Sequence, residues 1–354
     1  MNNLDDLRLY AKLDPDGMLK AIRDFPRQLE AGLKLGMQSR LPQRYSQVNK
    51  IVVLGMGGSA IGGDLIGGLI SKETACPVIV SRDYDLPGYV DEQTLVIASS
   101  YSGNTEETIS AFTGALKTNA KKLVITTGGK LATIASKNHV PVILFDYKAQ
   151  PRAVLGYNLG LLIGVFQKLG ILENQSGAFG VAIKTLDDLS ATLDATMPVT
   201  NNPAKQLAQK LVGKIVVTYG AQLFAEVAHR WKTQVNENSK AWGFYEAFSE
   251  LNHNAVVGYE FPKELADKVC VVMLRAPSIH PRNLKRYELT GQMLEGAGVG
   301  YEVIDGQGDS ILAQAMSLIL LGDWVTYYLA ILYGADPSPV KVISTLKDQL
   351  AKPA

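Results

Sequence analysis

The chain has 354 residues, 47% hydrophobic and 19% charged, which is long enough for two domains with a large buried core and excludes a disordered chain. Lys and Arg number 35 against 34 Asp and Glu, so there is no electrostatic footprint for nucleic acid or an anionic membrane surface. Two cysteines, Cys76 and Cys270, lie outside any CxxC pattern, and four histidines are scattered; neither a disulfide framework nor a metal site is expected.

The N-terminus is acidic and lacks the apolar core of a signal peptide, which points to a cytoplasmic protein. Asp14-Pro15-Asp16 offers a helix start, and Leu19, Ile22, Phe25, Leu29, Leu33 and Met37 recur at helical spacing, predicting a helical extension over 1–48. Short apolar runs then predict strands at 50–54, 78–80, 94–98, 122–126 and 142–145, with helices over 60–71, 105–118 and 131–137 between them. Alternation of this kind implies βαβ units on a parallel sheet, and continuous apolar strands suit a sheet covered on both faces. The cycle restarts at 214–220, with a helix through Trp231 and further strands at 267–274 and 300–304. Two apolar stretches, 153–166 and 317–334, read as buried helices; the first is too short to span a bilayer and the second is interrupted by Asp323. The expected architecture is α/β: two Rossmann-like three-layer αβα domains with mainly parallel sheets, over 49–175 and 195–354, with the break near 175–205.

Two loops carry the chemistry. The first runs Gly55-Met56-Gly57-Gly58-Ser59-Ala60; the second runs Ser99-Ser100-Tyr101-Ser102-Gly103-Asn104-Thr105. Both are strand-to-helix turns, which share the carboxyl edge of a parallel sheet, where ligands bind. Helix N-termini there present free amides and a positive dipole end. Gly57 and Gly58 let an oxyanion approach the backbone, and Ser59, Ser100, Ser102 and Thr105 add hydroxyl donors, a set suited to a phosphomonoester. The first loop alone also satisfies GxGxxA, and Asp83 or Asp85 could take a ribose, so a nicotinamide-dependent oxidoreductase is a rival. The hydroxyl-dense second loop favours a terminal phosphate. Ser102 and Thr105 could also simply cap a helix.

At these loops the sequence resembles the sugar isomerase (SIS) domain superfamily, and within it the bifunctional phosphoglucose/phosphomannose isomerases. The likeness continues through Gln150-Pro151-Arg152-Ala153, Asn236-Glu237-Asn238, Leu251-Asn252-His253-Asn254 and the end of the chain, where Asp336-Pro337-Ser338-Pro339 precedes Leu346-Lys347. The resemblance implies SIS-type folds and a metal- and cofactor-independent aldose–ketose isomerase acting on a hexose 6-phosphate. It implies that Ser59, Ser100, Ser102 and Thr105 hold the phosphate, Glu237 shuttles the proton, Arg152 stabilises the enediolate, and His253 and Lys347 assist ring opening. Lys341 competes with Lys347 for that last role. It also implies a homodimer in which the histidine reaches the neighbouring subunit's site. Without the resemblance, Glu237 reads as a solvated helix-end charge, His253 as a surface or capping residue, Arg152 as a clamp for Asp146, and Lys347 as a solvated lysine. A non-catalytic sugar-phosphate sensor is a further alternative.

Overall fold

A computed structural model describes residues 2–174, 176–350 and 352. Residue 175, the expected end of the first domain, lies outside them, as do residues 1, 351, 353 and 354. Helices α1 (Arg8–Leu13), α2 (Met18–Arg23) and α3 (Phe25–Gln38) open the chain. Then come β1 (Lys50–Leu54), α4 (Gly57–Ile70), β2 (Val78–Ser81), β3 (Thr94–Ser100), α5 (Glu106–Ala115), β4 (Lys121–Thr126), α6 (Gly129–Lys137) and β5 (Val142–Leu144). Helices α7 (Leu155–Lys168), α8 (Ser176–Leu193) and α9 (Pro203–Leu211) lead to β6 (Ile215–Ala221), α10 (Leu223–Glu237) and β7 (Gly243–Phe248). The chain closes with β8 (Val269–Arg275), α11 (Pro281–Gly296), β9 (Gly300–Asp305), α12 (Ile311–Tyr333) and α13 (Lys341–Leu350).

The first sheet has strand order β2-β1-β3-β4-β5 and the second β7-β6-β8-β9, with every pairing parallel. Successive strand side chains leave opposite faces of a sheet. In the first sheet Val52, Leu54, Val96 and Val124 accordingly enter one core with α5 and α6, while Ile51, Val53, Leu95 and Ile125 enter another. That other core runs on through α7 and α12 into the second sheet. Two-sided burial explains why these strands are apolar without alternation. Helix α12 has the length and hydropathy of a membrane span, but 94% of its apolar 18-residue window is buried within the fold.

Asp14 opens α2 as expected: its carboxylate accepts from the amides of Met18 and Leu19 at 2.7 and 2.8 Å. Helix α3 packs on α7 through glycines. A Cβ at Gly32 would lie 2.5 Å from the Tyr157 carbonyl oxygen, and one at Gly160 would lie 2.3 Å from that of Leu29. Gly36 and Gly164 meet the opposite helix in the same way.

One strand is absent from the sequence-based expectation. Residues 243–248, Gly-Phe-Tyr-Glu-Ala-Phe, form β7 at an edge of the second sheet, where most of its side chains are exposed. The helix expected to end near Trp231 continues to Glu237.

Candidate active site

The two glycine and hydroxyl loops follow β1 and β3, which pair side by side. Gly57, at φ 51°, begins α4. Thr105 stands at the N-cap of α5 but makes no capping bond; its hydroxyl lies 2.9 Å from that of Ser100. The Ser100 hydroxyl also accepts from the Gly103 amide at 3.1 Å, and Ser102 accepts from the Asn104 amide at 3.2 Å. The capping reading of Thr105 therefore fails, and the hydroxyls face one another across the loop. Gly103 holds the turn at φ 64°, and a Cβ there would sit 1.8 Å from the Gly128 carbonyl oxygen. Gly103→Ala is expected to cost about 1–3 kcal/mol, read as a lower melting temperature, and to weaken sugar-phosphate binding.

The Arg152 turn closes against the first loop. A Cβ on Gly58 would meet the Pro151 carbonyl oxygen at 3.2 Å and the Arg152 Cα at 3.4 Å. Asn158, on α7, fixes this contact by donating to the carbonyls of Gly58 and Ser59 at 3.2 and 3.0 Å. A small pocket is lined by Gly58 and Ser59 from the first loop, Ser99 and Tyr101 from the second, and Pro151.

Arg152 is buried and reaches into the second half of the chain. Its Nε donates to Asn238 Oδ1 at 2.7 Å, and one terminal nitrogen donates to the carbonyls of Pro337 and Ser338. The other terminal nitrogen stands 3.5 Å from the Glu237 carboxylate. Burial pushes the guanidinium pKa down, and the Glu237 charge opposes that shift; arginine stays protonated regardless. Arg152 is thus not a clamp for Asp146. Glu237 ends α10, where the negative end of the helix dipole disfavours a carboxylate, and Arg152 offsets that cost. It lines an open groove of about 700 Å3 together with Lys240, Trp242, Asp336, Pro339 and Lys341.

A buried polar layer supports this pair, and sequence reading missed it. Arg230 donates to the Arg152 carbonyl at 2.8 Å and to Asp323 at 3.0 Å, and Gln234 donates to Asp323 at 2.7 Å. Burial raises the Asp323 pKa, against the pull of Arg230. The signal was present: one carboxylate interrupts the most apolar helix, and a buried charge needs a partner.

His253 and Lys347 are not brought to this pair within the chain. His253 ends the short helical turn Glu250–His253 beyond β7 and is exposed. Lys347 lies on α13, exposed along its whole length; of the two α13 lysines it is Lys341, at the start of that helix, that lines the Glu237 groove. The expectation about metals rested on cysteines and histidines and did not weigh carboxylates. Across α4 and α10, Asp64, Glu226 and His229 offer ligand atoms within 4.8 Å of one another. Asp64 is already paired with Arg82, and His229 stacks on Tyr245 at 4.5 Å, which makes this an interdomain ionic cluster.

Comparison with known proteins fits this geometry. Residues 44–148 match the SIS domain family, and residues 200–350 match the bacterial phospho-glucose isomerase C-terminal SIS domain. The chain is 43% identical over 336 residues to a bifunctional phosphoglucose/phosphomannose isomerase of Caldicellulosiruptor bescii, covering 95% of this chain and 99% of the relative. It is 36% identical to one from Aquifex aeolicus, covering 86% and 91%. The fold matches a glucose-6-phosphate isomerase like protein from Thermus thermophilus with a TM-score of 0.64 at 21% identity, covering 96% of this chain and 98% of that one. The chain belongs to the bifunctional phosphoglucose/phosphomannose isomerase family.

Proposed function

We propose that this protein interconverts glucose 6-phosphate and mannose 6-phosphate with fructose 6-phosphate, using its own side chains and no metal or nicotinamide. The observation that carries the reading is the unbroken contact from Gly58 in the first loop, through the Arg152 turn, to the Glu237 carboxylate 3.5 Å from the guanidinium. It couples an anion-binding edge to a carboxylate paired with a fixed cation.

In this reading Gly57, Gly58, Ser59, Ser100, Ser102 and Thr105 hold the phosphate. Binding energy from that remote group positions the reacting carbons. Glu237 removes the C2 proton of the open-chain aldose. The C2–H electron pair forms the C1–C2 double bond, and the C1 carbonyl π pair moves onto the oxygen. Arg152 stabilises that oxyanion. Glu237 returns the proton to C1 while the C2 hydroxyl proton passes to the C1 oxygen, leaving the ketose. A planar C2 that can be reprotonated from either face gives both epimers.

His253 and Lys347 act in ring opening, within a homodimer. Exposed apolar surface supports that assembly: Trp242 just before β7 and Phe244 within it are 74% and 51% exposed, and Val342 and Leu346 on α13 are 84% and 54% exposed. Apolar patches rimmed by polar groups call for cover, and both lie on the elements that carry or adjoin the two distant residues. The protein works in the cytoplasm and engages neither nucleic acid nor membrane, consistent with its balanced charge and the buried α12.

A coupled assay on purified protein with a chelator present tests this. Both hexose 6-phosphates are expected to yield fructose 6-phosphate. Turnover of neither would overturn the reading, and inert mannose 6-phosphate would remove the dual activity.

A further inference from the structure

We propose, building on the isomerase reading, that Lys240 is an additional catalytic residue, whose ammonium donates a hydrogen bond to the C1 or C2 oxygen that carries the charge of the enediolate. Lys240 follows Glu237 by one short turn and lines the same groove. Its backbone sits in the left-handed region at φ 57°, a conformation that costs free energy for any residue with a Cβ. The surroundings impose it. The Asn236 side chain donates to the Ala241 carbonyl at 2.9 Å, the Ala241 amide donates to the Val235 carbonyl at 3.3 Å, and the Ser239 hydroxyl donates to the Thr326 carbonyl at 2.7 Å.

The consequence of that backbone is where the ammonium goes. Lys240 Nζ donates to the Glu237 carbonyl at 2.5 Å and to the Pro337 carbonyl at 3.2 Å. Arg152 donates to the same Pro337 oxygen, so guanidinium and ammonium flank one carbonyl beside the Glu237 carboxylate. An ammonium has three N–H donors; two are used, and among the described residues no partner takes the third. The residue as a whole is exposed, yet partial burial, then the Arg152 charge, push its pKa down to about 8, against Asp336 and Glu237.

Two cations that share one carbonyl next to the carboxylate match what the reaction does with charge. Proton abstraction removes a negative charge from Glu237 and creates one on the sugar oxygen. The cations do not move: Arg152 pairs with the carboxylate at rest, Lys240 rests on the carbonyls of Glu237 and Pro337, and both serve the oxyanion in the transition state. Donors placed where charge develops need little reorganisation.

The test uses the full-length protein, with Lys240→Asn, which tolerates the left-handed backbone, and Lys240→Arg. Melting temperatures establish that both variants fold. Lys240→Asn is expected to lower kcat on glucose 6-phosphate about 100-fold, with KM changed by less than about threefold. Wild-type activity is expected to fall as pH rises through about 8, because the neutral amine has lost its charge. Lys240→Arg should retain activity within about tenfold and move that alkaline limb upward by more than about one pH unit, since arginine does not deprotonate there. If Lys240 only staples the turn, Lys240→Asn keeps kcat and Lys240→Arg leaves the pH profile unmoved; either result overturns the proposal. A wild type that isomerises while Lys240→Asn keeps its kcat sinks only the lysine's role. A wild type inert toward every hexose 6-phosphate removes the isomerase reading and this one with it.

Discussion

Glu237→Gln is expected to lower kcat for both hexose 6-phosphates by about 10^2- to 10^4-fold, the range a positioned general base contributes, with KM and melting temperature close to wild type. The amide is isosteric but cannot take a proton from carbon. It can still meet Arg152, which stands 3.5 Å away, so little packing is lost. A variant that keeps more than about a tenth of wild-type kcat would remove Glu237 from the base role. The same variant tests whether sites are shared between subunits. Alone, Glu237→Gln and His253→Ala are both expected to be inactive. If each site takes its glutamate from one subunit and its histidine from the other, co-expression restores about a quarter of the activity, since random pairing in a two-fold dimer gives half heterodimers with one intact site each. Absence of recovery in verified heterodimers would place both groups in one subunit's site.

Arg152 should show a double effect. Arg152→Met leaves Asn238 and the carbonyls of Pro337 and Ser338 without the donor that now satisfies them. Breaking a buried charged pair from one side costs about 3–5 kcal/mol, so the melting temperature should fall by about 10 °C. Arg152→Lys separates the two roles. It keeps a positive charge but cannot span all those acceptors, and kcat should drop about 10^2- to 10^3-fold, the loss seen when one oxyanion donor is removed. An unchanged melting temperature for Arg152→Met would contradict its hold on Asn238 and the Pro337–Ser338 turn; an unchanged kcat for Arg152→Lys would contradict the oxyanion role.

The strands with apolar residues on both faces were legible in the sequence because burial leaves no room for polar residues, as in Lys50–Leu54 and Val269–Arg275. β7 was not. An edge strand whose middle faces outward carries no such pattern, and Phe-Tyr-Glu-Ala-Phe reads equally well as a loop. The loop hydroxyls were legible because Ser and Thr are dense beside glycine. Their mutual bond, Ser100 to Thr105, was not, since capping predicts the same residues. Arg152 was assigned by resemblance, but its partner was not; local reading offered Asp146, and the fold supplies Glu237 from a distant helix. Lys240 gave no signal at all, because its interest lies in a backbone angle that lysine does not advertise.

The glycine contact between α3 and α7 bears on how the enzyme can move. At Gly32 and Gly160 the two backbones touch with no side chain between them, and interdigitated surfaces of that kind resist sliding or rotation. The same helix pair holds the Arg152 turn, because Gln28 on α3 donates to the Ala153 carbonyl at 2.9 Å. Any breathing that admits a sugar must therefore carry the front helices, α7 and the Arg152 turn as one rigid piece. The turn before α13 travels with that piece, since Arg152 grips its Pro337 and Ser338 carbonyls and Ser338 is buried.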